Sequence, residues 1–323
     1  MSTYDIVLDL GSQFVGVLSK HNDILMRQRN AVALSNDNKI AAFGNDAVRA
    51  AKQNQSVKLV CPFNESTLLN VELAQRYFEW LFTVFDEKNF FTKKVRLLVI
   101  VNCGINNTEK RAWETVLYSV GAKQIKFVES TKACAKFISG RYSQNDFVVA
   151  DIGSAAADFG CLIGGKMISG CSLYYAGTNM DAAIKQLIEN RYNICIPLEK
   201  AEDIKRQCSF FDNDVSTITV QGINFESKKE ELVEVPSRIV FEELKIFADR
   251  YCQVIKSLLI SVDEHIAERL KLGGVYLCGG VGLAAGLKEF MQKTLGLDIV
   301  SNSESRYAAI YGGRIFLQEN VFK

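Results

Sequence analysis

The feature that most constrains this chain is a pattern that occurs twice. The first copy is the apolar strand Tyr4–Leu10, which runs into Gly11-Ser12 and is followed by a returning strand. The second copy begins at Phe147 and runs into Gly153-Ser154. Each copy reads as an apolar strand, an aspartate, a hydrophobic residue, glycine and serine. An internal repeat of this kind indicates duplicated structural units. We therefore expect two related domains, each opening with a meander of strands.

The remaining pattern alternates strands with helices, which predicts an α/β fold. The first domain is expected over 1–140, with a small subdomain inserted at about 30–70. The second is expected over 141–323, with an inserted subdomain at about 180–240 and a C-terminal helix that returns to the first domain. The main helices predicted by apolar spacing are Asn45–Lys52, Val71–Asp86, Thr108–Val120 (capped by Thr108), Lys132–Ser139 (ended by Gly140), Met180–Tyr192, Leu198–Cys208, Ser237–Glu268, Leu283–Leu295 and Ser305–Leu317.

Composition excludes several classes of protein. The chain has 38 Lys+Arg against 37 Asp+Glu, and this balance argues against a nucleic-acid-coating protein. Its two histidines, His21 and His265, do not suffice for a multi-histidine metal site or a histidine relay. The nine cysteines include no CxxC pair, which favours free thiols in a reducing cytosol. With no signal peptide pattern and no long apolar span, a cytoplasmic protein is expected.

The two aspartate-glycine-serine turns have a chemical use. A glycine after a strand allows a tight turn whose backbone N–H groups face an anion, and a nearby aspartate holds Mg²⁺ through its waters. Two such turns would clamp one polyphosphate from two sides; the alternative is an ordinary turn after a strand. The third candidate is the glycine-rich run from Gly273 to Gly282, which either lets a flat ligand approach the backbone or serves helix–strand packing.

In this order, the motifs DLGS, DIGS and CGGVGL resemble those of the actin-like ATPase superfamily, which includes actin, DnaK-type chaperones and sugar kinases. Within it, the chain is most similar to the MreB-like bacterial actins over nearly its whole length. The segments LVIVNCGINNTEKRAW, GAKQIKFVES, YYAGTNMDAAIKQLIENRYNICI and AEDIKRQCS resemble further motifs of that family in the same order. The resemblance implies a two-lobed fold of duplicated βββαβα-type domains around a nucleotide cleft, with ATP and Mg as cofactors.

The resemblance also assigns roles to residues. Asp9 and Asp151 are expected to hold Mg through waters, and Asp151 is also the expected catalytic carboxylate. Glu202 and Lys205 are expected to contact the ribose and adenine; their spacing on one helix face equally fits a surface ion pair. The residues that the resemblance places around the nucleotide are Asp9, Gly11, Ser12, Gln13, Gly153, Ser154, Gly177, Asp181, Glu202, Lys205, Gly279, Gly280 and Gly282.

Three departures from the family pattern concern chemistry. The second loop reads Asp151-Ile152-Gly153-Ser154 followed by three alanines, where the family has further glycines and threonines. Ser130 stands where the family has the glutamate that positions the attacking water, which leaves Glu129 as the alternative carboxylate. Val281 replaces the third glycine of the adenosine motif. Because phosphoryl transfer depends on positioning and electrostatics, we expect nucleotide binding with slow hydrolysis.

A surface signal remains before the strand Val95–Val101. Phe90 and Phe91 lie between Lys88 and the cations Lys93, Lys94 and Arg96. In MreB-like proteins this connection carries an apolar pair that enters the membrane, so Phe90, Phe91, Lys93 and Lys94 form a candidate membrane contact. The alternative is that the two phenylalanines cap the core beside a solvated edge.

The functional hypothesis is an MreB-like cytoskeletal protein that polymerises head to tail and supports cell shape at the inner face of the membrane. The expected partners are other copies of the chain, the cytoplasmic membrane surface, paralogous filament proteins and shape or wall-synthesis proteins, with no nucleic acid. A metabolic kinase or a chaperone-like ATPase of the same superfamily is the alternative.

Overall fold

The computed structural model describes residues 2–21, 25–54, 56–64, 66–208, 210–211 and 215–322, apart from the side chains of Glu87, Lys88 and Phe91. The chain forms two compact units. Unit 1 holds residues 1–143 and 307–323, and unit 2 holds residues 144–306. The last segment of the chain therefore belongs to the same unit as the first.

In its described residues, unit 1 combines a five-stranded, a three-stranded and a two-stranded sheet with five helices. Its elements are β1 (Thr3–Leu10), β2 (Phe14–Ser19), β3 (Met26–Arg29), β4 (Val32–Leu34), β5 (Ile40–Phe43), α1 (Gly44–Gln53), β6 (Lys58–Val60), β7 (Phe63–Asn64), β8 (Thr67–Leu68), α2 (Val71–Thr92), β9 (Lys94–Val101), α3 (Asn107–Ser119), β10 (Gln124–Glu129), α4 (Ser130–Tyr142) and α10 (Ala308–Gln318).

Unit 2 has the same kinds of element. They are β11 (Phe147–Ile152), β12 (Ala157–Ile163), β13 (Lys166–Leu173), α5 (Gly177–Tyr192), β14 (Ile194–Cys195), α6 (Leu198–Gln207), β15 (Thr217–Asn224), β16 (Glu230–Pro236), α7 (Ser237–Ile260), α8 (Glu264–Gly273), β17 (Val275–Cys278), α9 (Leu287–Leu295) and β18 (Ile299–Val300). A 3₁₀ turn, Ser303–Tyr307, leads back to unit 1.

The two large sheets have the same topology, which confirms the α/β fold with a duplicated unit. Their strand orders are β10-β9-β1-β2-β3 and β13-β12-β11-β17-β18. In unit 1, β1 pairs antiparallel with β2 and parallel with β9. In unit 2, β11 pairs antiparallel with β12 and parallel with β17. The central strand of each sheet is therefore the one that ends in an aspartate-glycine-serine turn.

Both faces of the unit 1 sheet are buried. Along β1, Ile6 and Leu8 join a cluster with Trp113 of α3, while Val7 joins a second cluster with Ile310 of α10. Burial on both faces explains why the strand reads as a continuous apolar run instead of an alternating one. The hydrophobic effect at these two layers therefore fixes helices on both sides of β1.

The C-terminal helix α10 packs closely on unit 1. A Cβ at Gly312 would lie 1.7 Å from the carbonyl oxygen of Ala133 in α4, and one at Gly313 would lie 2.7 Å from Val7 Cγ1. Two consecutive glycines thus remove the side chains that would keep α10 away from α4 and β1. This close approach holds residues 308–318 against the first part of the chain.

Several predicted helix boundaries are wrong. Asn106, not Thr108, caps α3, because its side chain accepts from the N–H of Glu109 in a capping box. Gly140 lies inside α4, which ends at Ser143 in the left-handed conformation. The predicted helix Ser237–Glu268 is two helices, α7 and α8, separated by residues 261–263. Predicted helix Leu283–Leu295 begins at Leu287 instead, after Gly286 with φ +78°.

Phe90 is a core residue. Its side chain is 5% exposed, and its ring stacks on Phe82 with the ring centroids 4.3 Å apart. The helix α2 breaks at Asp86, whose φ of −166° and ψ of 76° redirect the chain and return Phe90 to the core. The expectation that Phe90 inserts into a membrane is therefore wrong, whereas the Phe91 side chain lies outside the described part. In the described ranges, no helix combines the length and apolarity needed to cross a bilayer.

The burial of Phe90 generates a stability prediction. Phe90→Ala should lower the free energy of unfolding of unit 1 by about 3 kcal/mol, because it removes a buried aromatic side chain and leaves a cavity. Trp80 and Trp113 both lie in unit 1, so urea unfolding followed by tryptophan fluorescence reports on this unit. Val84→Ala, on an exposed position of the same helix, should change it by less than about 0.5 kcal/mol. Equal stability of Phe90→Ala and the unmodified protein would contradict the packing.

Candidate functional site

The two candidate aspartates occupy equivalent positions in the two sheets. Asp9 lies opposite Gly16 of β2 and beside Ile100 of β9. Asp151 lies opposite Asp158 of β12 and beside Cys278 of β17. Each carboxylate is thus on the central strand, next to the carboxyl ends of its parallel neighbours, where open α/β sheets bind ligands.

The turn after β1 is held by contacts that exclude larger side chains. A Cβ on Gly11 would lie 2.5 Å from the carbonyl oxygen of Phe14, so this position requires glycine. Asn30 donates from Nδ2 to the Ser12 carbonyl oxygen at 2.9 Å, and from its backbone N–H to the Gln13 carbonyl oxygen at 3.0 Å. The loop is therefore tied to the chain after β3. No sequence motif had singled out Asn30.

Asp9 has an unusual acidity. Asp9 is partly buried, and the desolvation of its carboxyl raises its pKa to about 6; Arg27 partly offsets the effect. The Arg27 guanidinium is itself held over the Phe14 ring, 4.2 Å from the centroid. Asp9 is consequently a carboxylate whose charged form a nearby cation would stabilise. Sequence reasoning found Asp9 and missed Arg27.

Glu129 and Ser130, the two candidate positions for orienting the attacking water, lie at the junction between β10 and α4 and have different surroundings. Glu129 ends β10 and forms an ion pair with Lys132, Oε2 to Nζ 3.0 Å. Ser130 is the first residue of α4 and is 8% exposed, and Thr131 follows it into the core with its hydroxyl 2.9 Å from Cys103 Sγ. Ser130 is therefore buried, while the Glu129 carboxylate is bound by the exposed Lys132.

The second loop is fastened to the start of α5. Gly153 donates its N–H to the Ala156 carbonyl oxygen at 2.9 Å, which closes the turn. Gly177 and Thr178 donate their N–H groups to the carbonyl oxygens of Gly153 and Ser154, at 3.3 and 2.6 Å. The first two N–H groups of α5 thus pair with loop carbonyl oxygens. These hydrogen bonds fix the loop that follows Asp151.

Lys205 supports the same segment from α6. Its Nζ donates to the Gly177 carbonyl oxygen at 2.8 Å and lies 2.7 Å from Asp181 Oδ1. Burial raises the pKa of Asp181, and the Lys205 ammonium opposes that shift. Because both side chains are largely buried, removal of Lys205 would leave an unpaired carboxylate inside unit 2. Gly177, Asp181 and Lys205 therefore form one connected group.

Glu202 lies on the same helix and has a different partner. It accepts a hydrogen bond from Arg206, one turn further along α6, and it is 8% exposed. A direct Glu202–Lys205 ion pair is thus replaced by two separate pairs, Glu202–Arg206 and Asp181–Lys205.

The three glycines of the third motif are not equivalent. A Cβ on Gly279, which has φ +78°, would lie 2.4 Å from the Ile152 carbonyl oxygen and 2.7 Å from Asp151 Oδ1. A Cβ on Gly282 would lie 2.2 Å from the Cys278 carbonyl oxygen. A Cβ on Gly280 would meet no heavy atom within 4 Å. Gly279 and Gly282 are thus required by the chain itself, whereas Gly280 leaves open space.

In the described part of the chain, no group of three or more His, Cys, Asp or Glu side chains is placed to hold a metal ion. Mg²⁺ usually keeps several waters and takes one or two carboxylates together with substrate phosphates. Asp9 and Asp151, each in its own unit, carry the type of oxygen ligand that Mg²⁺ prefers.

Lys93 and Lys94, expected near a membrane, lie at the opposite end of the unit 1 sheet from Asp9. Lys94 begins β9, and Lys93 Nζ lies 5.5 Å from the centroid of the Tyr4 ring near the start of β1. They therefore do not share the site formed around the loops.

Comparison with known proteins adds the family. Cell shape-determining protein MreB of Pasteurella multocida is 22% identical over 323 residues, covering 96% of this chain and 91% of the relative. MreB of Escherichia coli strain K12 is 20% identical, covering 97% and 93%. Both alignments span almost the entire length of each protein.

Solved structures show the same fold. MreB 5 of Spiroplasma citri bound to AMPPNP superimposes with a TM-score of 0.91 at 22% identity, covering 100% of this chain and 99% of that chain. The MamK double helical filament gives a TM-score of 0.84 at 14% identity, covering 98% and 99%. The profile of the MreB/Mbl protein family matches residues 3–322. With this match over nearly its whole length and the duplicated sheets described above, the chain belongs to the MreB/Mbl family.

Proposed function

We propose that this bacterial actin-like protein binds ATP and polymerises into filaments that support cell shape. The observation that carries the proposal is the matched placement of Asp9 and Asp151 on the central strands of two sheets with the same topology. The relatives supply independent support, since Spiroplasma citri MreB 5 has been crystallised with AMPPNP and with ADP, and MamK forms a double helical filament.

The proposed nucleotide contacts follow the geometry of each unit. In unit 1, the Gly11–Gln13 loop and Asp9 would serve the phosphates. In unit 2, the loop at Gly153 and Ser154 would do the same, and the open space at Gly280 would admit the adenosine. Mg, held by Asp9 and Asp151 through waters, would neutralise phosphate charge. Lys205 and Asp181 would position the Gly177 backbone, and Glu202 and Lys205 would contact the ribose and adenine.

We propose slow hydrolysis for this ATPase. Ser130 offers no carboxylate to orient a water, and the Glu129 carboxylate is engaged by Lys132. Because a nucleophile that is not positioned reacts much more slowly, filament turnover would then depend on partners. A location at the inner face of the membrane, with paralogous filament proteins and shape or wall-synthesis proteins as partners, completes the proposal. Phe90 has no part in such a contact because it is buried.

Filament formation is the direct test. Negative-stain electron microscopy should show filaments with Mg-ATP and none without nucleotide. Gly280→Val should keep a folded unit 2, since the new side chain meets open space, but it should weaken ATP binding at least tenfold and abolish the filaments. Thermal unfolding of Gly280→Val provides the folding control. Monomers under every nucleotide condition would refute polymerisation.

The acidity of Asp9 predicts a pH dependence. Below pH about 6 the carboxyl takes up a proton and loses its attraction for a cation. For a single required ionisation, Mg-ATP affinity should fall about tenfold between pH 7.5 and pH 5. Asp9→Asn should bind weakly at both values, with a much smaller change. Fluorescence titration with a labelled ATP analogue measures the affinity of each protein at each of the two pH values. An identical pH response in Asp9→Asn would exclude Asp9 as the cause.

Folding stability should respond in the opposite direction. The folded protein keeps a proton on Asp9 between pH about 4 and 6 that the unfolded chain has already lost, so stability from this group declines as pH rises through that window. Asp9→Asn should therefore gain in unfolding temperature relative to the unmodified protein as pH rises from 4 to 6, and the difference should then stay constant. Calorimetry at closely spaced pH values checks the sign.

The role of position 130 has its own test. Phosphate release from the unmodified protein with Mg-ATP should be slow, and Ser130→Glu should raise it at least tenfold by supplying a carboxylate that orients water. Ser130→Gln is the matched control, because glutamine has nearly the same shape as glutamate but no charge. It should not accelerate phosphate release. Glu129→Gln should leave the rate within about twofold. Rapid release by the unmodified protein would overturn the proposal of slow hydrolysis.

A further inference from the structure

Unit 1 contains a cavity of about 610 Å³ that the proposed function does not use. It lies where the strands β1, β9 and β10 begin, since Thr3, Lys94 and Gln124 are their first residues. The residues that line it are Thr3, Phe90, Lys93, Lys94, Arg96, Gly121, Lys123 and Gln124. Its volume is within the range of small-molecule sites.

The charge of this cavity is one-sided. Of the eight described residues that line it, four are lysine or arginine and none is acidic, although the whole chain has a net charge of only +1. Arg96 is already compensated, since Asp5 accepts two hydrogen bonds from its guanidinium at 2.7 Å each. Lys94 and Lys123 are exposed, and neither takes part in an ion pair with any side chain that the structure describes. Two uncompensated ammonium groups therefore face one recess.

Phe90 and Gly121 form the apolar part of the cavity lining. Phe90 is fixed by its stacking on Phe82, and Gly121 approaches it so closely that a Cβ there would lie 3.3 Å from Phe90 Cε1. The Phe90 ring is buried, whereas Lys94 and Lys123 are exposed, so the lysines lie nearer to solvent than the ring. A recess of this size accepts a small ligand.

The cavity is far from the nucleotide loops. Lys94 and Val101 are the two ends of β9, and Asp9 pairs with Ile100 beside Val101. Seven strand steps separate these ends, a distance of roughly 23 Å. A ligand held at Lys94 thus has no direct contact with the groups around Asp9 in unit 1.

We propose that this cavity binds a small soluble polyanion that carries several phosphate groups. Lysine ammonium groups are mobile point charges that suit phosphate oxygens of varied geometry. Thr3 and Gln124 supply neutral polar groups beside them. The assignment is independent of nucleotide binding, because no residue of the cavity belongs to the proposed nucleotide contacts.

The test uses inositol hexakisphosphate as the probe in isothermal titration calorimetry of the full chain. The double variant Lys94→Ala/Lys123→Ala should bind it at least about tenfold more weakly, because two charge-assisted contacts are lost. Lys39→Ala/Lys58→Ala removes two exposed lysines elsewhere in unit 1 and should remain within twofold of the unmodified protein. This control has the same net charge as the cavity variant. Equal losses in the two variants would mean general electrostatic attraction and would overturn the proposal.

Two further arms separate the cavity from other anion sites. Excess ADP should leave the affinity for the probe unchanged, and competition would assign the binding to the nucleotide loops. Vesicles of phosphatidylglycerol and phosphatidylcholine test a lipid surface by co-sedimentation. The proposal is overturned if the soluble probe does not bind, including the case in which vesicle binding alone depends on Lys94 and Lys123.

Discussion

In each unit, one central strand is held between an antiparallel neighbour and a parallel neighbour, and the rest of the unit depends on that arrangement. The backbone ladders fix the register of β1 and β11, so the aspartate near each carboxyl end is set by hydrogen bonds along the whole strand. In unit 1, helices cover both faces of the sheet. In both units, the glycine-containing turn directly follows the central strand. The chemistry of the site therefore depends on strand pairing more than on any local loop sequence.

The repeat was visible in the sequence because strand, turn and returning strand are local features that leave a local pattern. The same holds for Gly11, where the turn after β1 demands glycine. The family resemblance supplied Gly177, Asp181 and Lys205, which have no shared local pattern. The structure joins them through one ammonium group.

Other features depend on contacts between distant residues, and the sequence alone did not reveal them. Asn30, which follows β3, donates a hydrogen bond to the loop after β1. Phe90 is buried because the chain changes direction at Asp86, which allows the Phe90 ring to stack on Phe82. Boundaries failed for a related reason: Asn106 and Thr108 are both acceptable caps, and only the capping box with Glu109 decides between them. Gly279 and Gly280 likewise cannot be told apart in the sequence, although only Gly279 has a positive φ and lies against the Ile152 carbonyl and Asp151 Oδ1.

The close contact of Gly312 with Ala133 also affects how the protein is made. Residues 144–306 form a complete unit, whereas the first unit lacks one of its helices until residues 308–318 have left the ribosome. Val7 and Leu98 stay without their α10 neighbours during that time. Apolar surface exposed during synthesis favours binding by chaperones and aggregation. Unit 2 should thus be the first to reach its native state, and the earliest residues synthesised are among the last to be covered.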